Sequence, residues 1–287
     1  MDAIIEGLWG PFQYSFMRRA LVVSLLVGVM CPVLGVYVVT RGLGFVGDAL
    51  AHSVLPGMVA AFMLGLSPFA GTIPVAVGVA LLIGYLVKRV GVGEDTSVGI
   101  TFAGLFALGL VMLTAARGLP VNLEDILLGQ VLGVSQTDLY ITLSLAGVVL
   151  ALVFVVRKEL LFANFDPTGA LVMGLPTNLL EYTLLVLLAV VTVISLQAVG
   201  IVLVVSMLIT PAATALLLVR NFYRALLLGV ALGVAAAFSG LYLSFYFNLP
   251  SGPVMALLTT FFFVTALAWK QGVTQFASAG RRRESSS

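Results

Sequence analysis

Histidine occurs once in these 287 residues, cysteine once, and charged residues make up only 9% of the chain. Each shortage excludes something. With a single histidine there is no H-E-x-x-H, no G-x-S-x-G is present either, and most hydrolytic constellations are out of reach. A lone cysteine, Cys31, forbids an internal disulfide or a thiolate cluster and fits a small packed hydrophobe. No G-x-x-x-x-G-K followed by Ser or Thr occurs, so the chain has no P-loop with which to hydrolyse ATP. A net charge of +2 gives no footing for a nucleic-acid partner. Ahead of Arg18 there is no basic region followed by an apolar stretch and a cleavage site, so the first apolar run is expected to stay in the mature protein.

What is present is apolar sequence in long runs: 61% of residues are hydrophobic and the mean hydropathy is +1.18. Soluble domains carry about 25% charged residues, so this is an all-α polytopic membrane protein whose solvent is lipid. A span needs about 20 apolar residues to cross a ~30 Å hydrocarbon core. That rule gives about nine spans, eight at the least. The first runs from Ala20 to Thr40, the second from Leu43 to Leu66, the third from Phe69 to Val87, the fourth from Val98 to Ala116 and the fifth from Leu139 to Val156. Tyr182 to Val219 carries no charge and is too long for one helix, so Gln197-Ala198-Val199-Gly200 is read as the break between spans six and seven. Asn248-Leu249-Pro250-Ser251-Gly252-Pro253 divides spans eight and nine in the same way. Residues 1–272 form one transmembrane domain, and 273–287 a basic tail expected to be disordered.

Orientation follows from the basic residues. Alternating spans put Arg41, Lys88, Arg89, Arg157, Lys158, Arg220, Arg224, Lys270 and Arg281 to Arg283 on one side, against Arg18, Arg19 and Arg117 on the other. The first side is therefore cytoplasmic, and with it the C-terminus. The N-terminal residues lie outside, or form an interfacial helix carrying Trp9, Phe12, Tyr14 and Phe16. Spans one to four precede the fifth and six to nine follow it, so the two sets enter the membrane in opposite senses. That is the topology of an inverted repeat, in which transporters place the substrate path between the halves.

One stretch interrupts the apolar pattern. Arg41-Gly42-Leu43-Gly44-Phe45-Val46-Gly47-Asp48-Ala49-Leu50-Ala51-His52-Ser53-Val54-Leu55-Pro56-Gly57 holds the single histidine and, four residues before it, the only acid between Arg41 and Lys88. At i and i+4 the two side chains share one helix face. Gly42 to Gly47 matches G-x-G-x-x-G, but that fingerprint works between a strand and a helix in a soluble βαβ unit. Here the glycines serve better as a bend or a close helix contact. Asp48 and His52 could be a hydrogen-bonded pair that only fixes packing. Against that, a charge at mid-membrane costs about 2.5–3.5 kcal/mol and usually marks a substrate or ion path. A carboxylate with an imidazole suits manganese, iron or zinc, whereas calcium and magnesium prefer oxygen throughout. Two ligands hold an ion weakly, as a conduit requires, and a homodimer could present two such pairs. Gly47, Ser53 and Pro56 beside the pair, and Thr210-Pro211 in span seven, are candidate path or hinge positions, with kinked packing the plainer reading of the last. Glu94-Asp95 and Glu124-Asp125 read as interfacial charge, and Phe261-Phe262-Phe263 as lipid-facing or packing surface.

The loop from Phe165 to Pro176 has its own punctuation. Asp166 suits an N-cap, Pro167 the first helical position, and Gly174 before Pro176 a stop. A helix that short cannot span. It is either an ordinary surface turn or a short helix along the cytosolic face for a partner protein to grip.

Several blocks taken together resemble the permease subunit of the manganese/zinc/iron family of ATP-binding-cassette importers. They are Gly47-Asp48-Ala49-Leu50-Ala51-His52-Ser53-Val54-Leu55-Pro56-Gly57, Glu94-Asp95-Thr96, Leu127-Leu128-Gly129, Phe165-Asp166-Pro167, Gly174-Leu175-Pro176, Leu196-Gln197-Ala198-Val199-Gly200, Thr210-Pro211-Ala212-Ala213-Thr214 and Pro250-Ser251-Gly252-Pro253. The resemblance implies a type II importer-like fold, two permease copies on two ATPase subunits, and an extracytoplasmic metal-binding protein that delivers the ion. It implies metal contact by Asp48 and His52, and ATPase coupling through Asp166, Pro167, Thr168 and Gly174. Thr168-Gly169 departs from the acid and larger residue the family leads one to expect. Zinc-type members carry a further histidine in span four, where this chain reads Gly99-Ile100-Thr101-Phe102-Ala103-Gly104, which favours manganese or iron. The expected role is an importer subunit of a prokaryotic cell membrane, without enzymatic activity or a resident cofactor. The rival is a proton-coupled secondary metal carrier working without an ATPase; a membrane enzyme is poorer, for want of a second histidine or a nucleophile motif.

Overall fold

Proline and glycine divide the apolar runs where charge does not. The computed structural model describes residues 13–116 and 133–284, with side chains as far as 272, and the regular structure among them is helical throughout. Helix α1 (Ser15–Thr40) takes Arg18 and Arg19 into its first turns, earlier than the expected start at Ala20. It ends in a Schellman turn: Gly42 adopts φ +76°, its N–H reaches Val39 O at 3.1 Å, and the N–H of Leu43 reaches Val38 O at 3.0 Å. The second span is broken into α2 (Gly44–Ser53) and α3 (Leu55–Met63), since Pro56 has no N–H for the carbonyl of His52.

Pro68 opens α4 (Pro68–Tyr85), which runs into one π turn at Leu86–Val90, and α5 (Glu94–Ala115) follows. Arg117, Glu124, Asp125, Leu127, Leu128 and Gly129 lie outside the described residues, as do Trp9 and Phe12. A capping box starts α6 (Gln136–Phe165): Ser135 Oγ accepts from the N–H of Asp138 at 3.1 Å, and Asp138 Oδ2 accepts from the N–H of Ser135 at 3.2 Å. The short α7 (Pro167–Val172) leads into α8 (Thr177–Val199). Gly200 alone separates it from α9 (Ile201–Leu218). Asn248 to Pro250 separate α10 (Phe222–Phe247) from α11 (Ser251–Glu284). Nine spans long and apolar enough to cross a membrane occur among the described residues, the last ending at Gly272. The backbone of α11 continues as helix to Glu284. An established helix propagates readily through residues that do not break it.

The packing makes the inverted repeat visible. Helix α1 lies along α10 as α8 lies along α4. Helix α9 packs on α10 and α11 as α2 and α3 pack on α4 and α5, while α6 touches α1 and α8 alike. Span five is thus the hinge of the symmetry. The most buried spans are α1, α2–α3 and α8, with α5 and α6 at the periphery. Leu108, Val148, Phe154, Leu227 and Leu257 point outward from peripheral helices, an apolar exterior suited to lipid.

Candidate functional site

Asp48 and His52 stand one turn apart on α2. His52 Nε2 lies 3.4 Å from Asp48 Oδ1, the long end of hydrogen-bond range. The imidazole side chain is 22% exposed and the carboxylate 42%. Helix α5 holds the ring from its other side: Phe106 meets it edge-on with centroids 5.4 Å apart, Phe102 lies at 5.7 Å, and the two phenyl rings stack on each other at 5.7 Å. Across α2, Gly47 meets the side chain of Leu208 on α9 so closely that a Cβ there would have to push the Leu208 methyl aside. These contacts fix the rotation of α2 so that Asp48 opens onto a cleft of about 460 Å³ between α2 and α5.

The cleft is also lined by Phe45, Asp95, Val98, Gly99 and Phe102. Asp95, which the sequence alone assigns to interfacial charge, therefore faces the same space as Asp48. Nothing in the local sequence foretells this, because it depends on α5 packing against α2. Chemically the cleft offers two carboxylates, and the His52 imidazole, 3.4 Å from Asp48, stands behind its lining against Phe102 and Phe106. Among the described residues, however, no group of three or more His, Cys, Asp or Glu stands close enough to hold a metal ion. One chain supplies a partial donor set.

The other path candidates are placed differently. Ser53 is buried and donates through Oγ to its own helix at Ala49 O (2.6 Å). Pro56 is buried in the first turn of α3. Pro211 is buried within α9, and Thr210 O accepts from Thr214 Oγ1 at 2.7 Å. None of these lines the cleft.

The predicted short helix forms as α7. Asp166 caps it, Oδ1 accepting from the N–H of Gly169 at 2.8 Å, with Pro167 and Thr168 in its first turn. Gly174, at φ +79°, closes it in a second Schellman turn: Gly174 N–H to Leu171 O and Leu175 N–H to Ala170 O, both 3.0 Å. The capping pattern left unread the apolar triplet before the stop. Leu171, Val172 and Met173 are all exposed, Val172 to 84%, on a helix outside every span.

An inverted repeat of membrane helices, with a polar pair on a broken buried span, defines a multi-pass membrane transport protein. The chain belongs to the ABC 3 transport family, whose model matches residues 13–270. It is 43% identical over 277 residues to the manganese transport system membrane protein MntC of Halalkalibacterium halodurans, covering 96% of this chain and 95% of that one. It is 41% identical over 269 residues to the chelated iron transport system membrane protein YfeD of Yersinia pestis, covering 94% and 90%. Among solved structures, PsaBC from Streptococcus pneumoniae in complex with Fab matches at a TM-score of 0.81 and 35% identity, covering 92% of this chain and 95% of its own. The protein is a transporter subunit, and no part of this resemblance is to an enzyme.

Proposed function

We propose that this chain is the permease subunit of an ATP-driven importer of divalent transition-metal ions, with manganese the first cargo and iron or zinc the others to compare. The observation that carries the reading is the Asp48/His52 pair, held on a buried broken span with Asp48 open to a cleft. It is supported by relatives named for manganese and iron transport. Asp48 supplies charge that offsets the ion's lost hydration. His52 supplies a borderline donor that disfavours magnesium and calcium. The partial donor set is completed by a second copy of the chain across a two-fold axis, which makes a homodimer the working unit.

Two separate ATPase subunits grip α7 through Leu171, Val172 and Met173, since exposed apolar side chains outside the lipid mark a protein contact. Asp166, Pro167, Thr168 and Gly174 shape that helix. An extracytoplasmic metal-binding protein delivers the ion on the opposite side, and the C-terminus is cytoplasmic by the distribution of lysine and arginine. ATP binding and hydrolysis then bias a two-state membrane domain that opens the pair to each side in turn. The metal passes as cargo, with no resident cofactor. His52 would ligate through a neutral imidazole nitrogen.

The test is metal uptake by the reconstituted complex. Asp48→Ala and His52→Ala are each expected to lower it by more than about tenfold, with assembly and ATP hydrolysis retained. Wild-type uptake in both variants would sink the assignment. Competition among manganese, iron and zinc in the same vesicles ranks the cargo.

A further inference from the structure

We infer that Asn164 and Arg41 form a strut through which the coupling helix acts on the Asp48/His52 pair, an inference that rests on reading α7 as the ATPase contact. Asn164 sits in the last turn of α6, just ahead of the Asp166 cap of α7. Its two amide ends are used separately. Nδ2 donates to Thr40 Oγ1 at 2.6 Å, and Oδ1 accepts from Nε of Arg41. Thr40 is the last helical residue of α1 and Arg41 its C-cap. The Thr40 hydroxyl donates back to Val36 O at 2.7 Å, which leaves its lone pairs free to face Asn164. After Arg41 the chain turns at Gly42, at φ +76°, and enters α2, whose second turn carries Asp48.

The directions of these bonds matter. Apolar contacts between helices can slide, whereas an amide bonded at both ends holds its partners in position and orientation. Any displacement of α7 that moves the end of α6 therefore moves the α1–α2 joint as well. Beside the strut lies a polar cavity of about 440 Å³, lined by Arg41, Lys88, Glu94, Asn164, Pro167 and Glu181 among others, so this end of the bundle has room to shift. On the far wall, Lys88 Nζ and Glu181 Oε2, 2.5 Å apart, tie the π turn after α4 to α8. Helix α7 is thus joined to one tie through α6 and to the other through α8. The Asn164 tie leads to Asp48. Rigid helices linked by directed hydrogen bonds are the kind of contiguous network that carries coupling.

The experiment uses the whole complex, permease with ATPase subunits and metal-binding protein, in proteoliposomes loaded with manganese as the probe, and reads ions transported per ATP hydrolysed. Asn164→Ala is expected to keep assembly and hydrolysis but to lower that ratio about fivefold or more. Asn164→Asp, which keeps an acceptor for Arg41, is expected to restore most of it. The double variant Arg41→Ala/Asn164→Ala is expected to be no worse than the poorer single, because both break one link. Should Asn164→Ala fail to assemble, the shape-preserving Thr40→Val decides by the same ratio, with a smaller fall expected. An unchanged ratio overturns the strut, and so does an equal loss of hydrolysis and uptake, which is what a merely structural role gives. Two controls separate this from the reading beneath it. Asp48→Ala should stop uptake, and Leu171→Asp should weaken ATPase association. If both behave and the ratio does not move, the strut alone is wrong; if either control fails, the underlying site or coupling reading is wrong as well.

Discussion

If His52 ligates a passing ion as proposed, it has to be held still while staying reachable, and two phenyl rings hold it. Phe106 and Phe102 fix the imidazole plane from α5, while the contact to Asp48 is long. Phe106→Ala should leave both donors in place and free the ring to rotate. An edge-on aromatic pair contributes about 0.5–1.5 kcal/mol, so KM for metal uptake should rise about two- to tenfold with a smaller change in kcat. Initial-rate uptake against metal concentration measures this, and an unchanged KM would show that the rings do not position the ligand. Of this residue-scale picture, the i, i+4 pair is legible in sequence because helix periodicity alone sets it. Phe102, Phe106 and Asp95 are not, because their nearness to α2 depends on which helix packs beside it.

At the scale of elements, proline and glycine play opposite parts according to what they face. Where α1 crosses α10, a Cβ on residue 28 would stand 2.9 Å from the carbonyl oxygen of Gly233, so the helices touch backbone to backbone. Gly78 on α4 has nothing within reach of a Cβ. Gly28→Ala should therefore destabilise by about 1–3 kcal/mol through overpacking, and Gly78→Ala should stabilise by about 0.5–1 kcal/mol through helix preference. Thermal unfolding of the purified protein in detergent checks both; shifts of the same sign would contradict the packing account. The capped α7 and the Gly200 break were readable because caps and stops are local chemistry. The break after His52 was less so, since Pro56 could equally have been tolerated by a gentle kink.

For the whole molecule, the consequential question is the second copy that the proposed metal site calls for. Phe45 lies on α2 within the Asp48 cleft and is 79% exposed, while Phe154 on α6 is 63% exposed on another part of the exterior. If a second copy completes the site, Phe45→Cys should form a disulfide between copies in native membranes and Phe154→Cys should not. Cys31 is fully buried and does not compete. Gel analysis under oxidising conditions decides it: crosslinking at 154 in place of 45 would move the dimer axis to another face.

Sequence by itself determined the membrane class, the nine spans, the opposed senses of the two halves, the Asp48/His52 spacing and the ends of α7, because each rests on composition or on neighbours within a helical turn or two. Tertiary structure alone decided that Asp95 shares the cleft with Asp48, that α5 clamps the imidazole, and that Asn164 reaches Arg41 across 123 positions of chain. Those meetings are set by the rotation and crossing of packed helices, and no local pattern encodes which distant face a given side chain will meet.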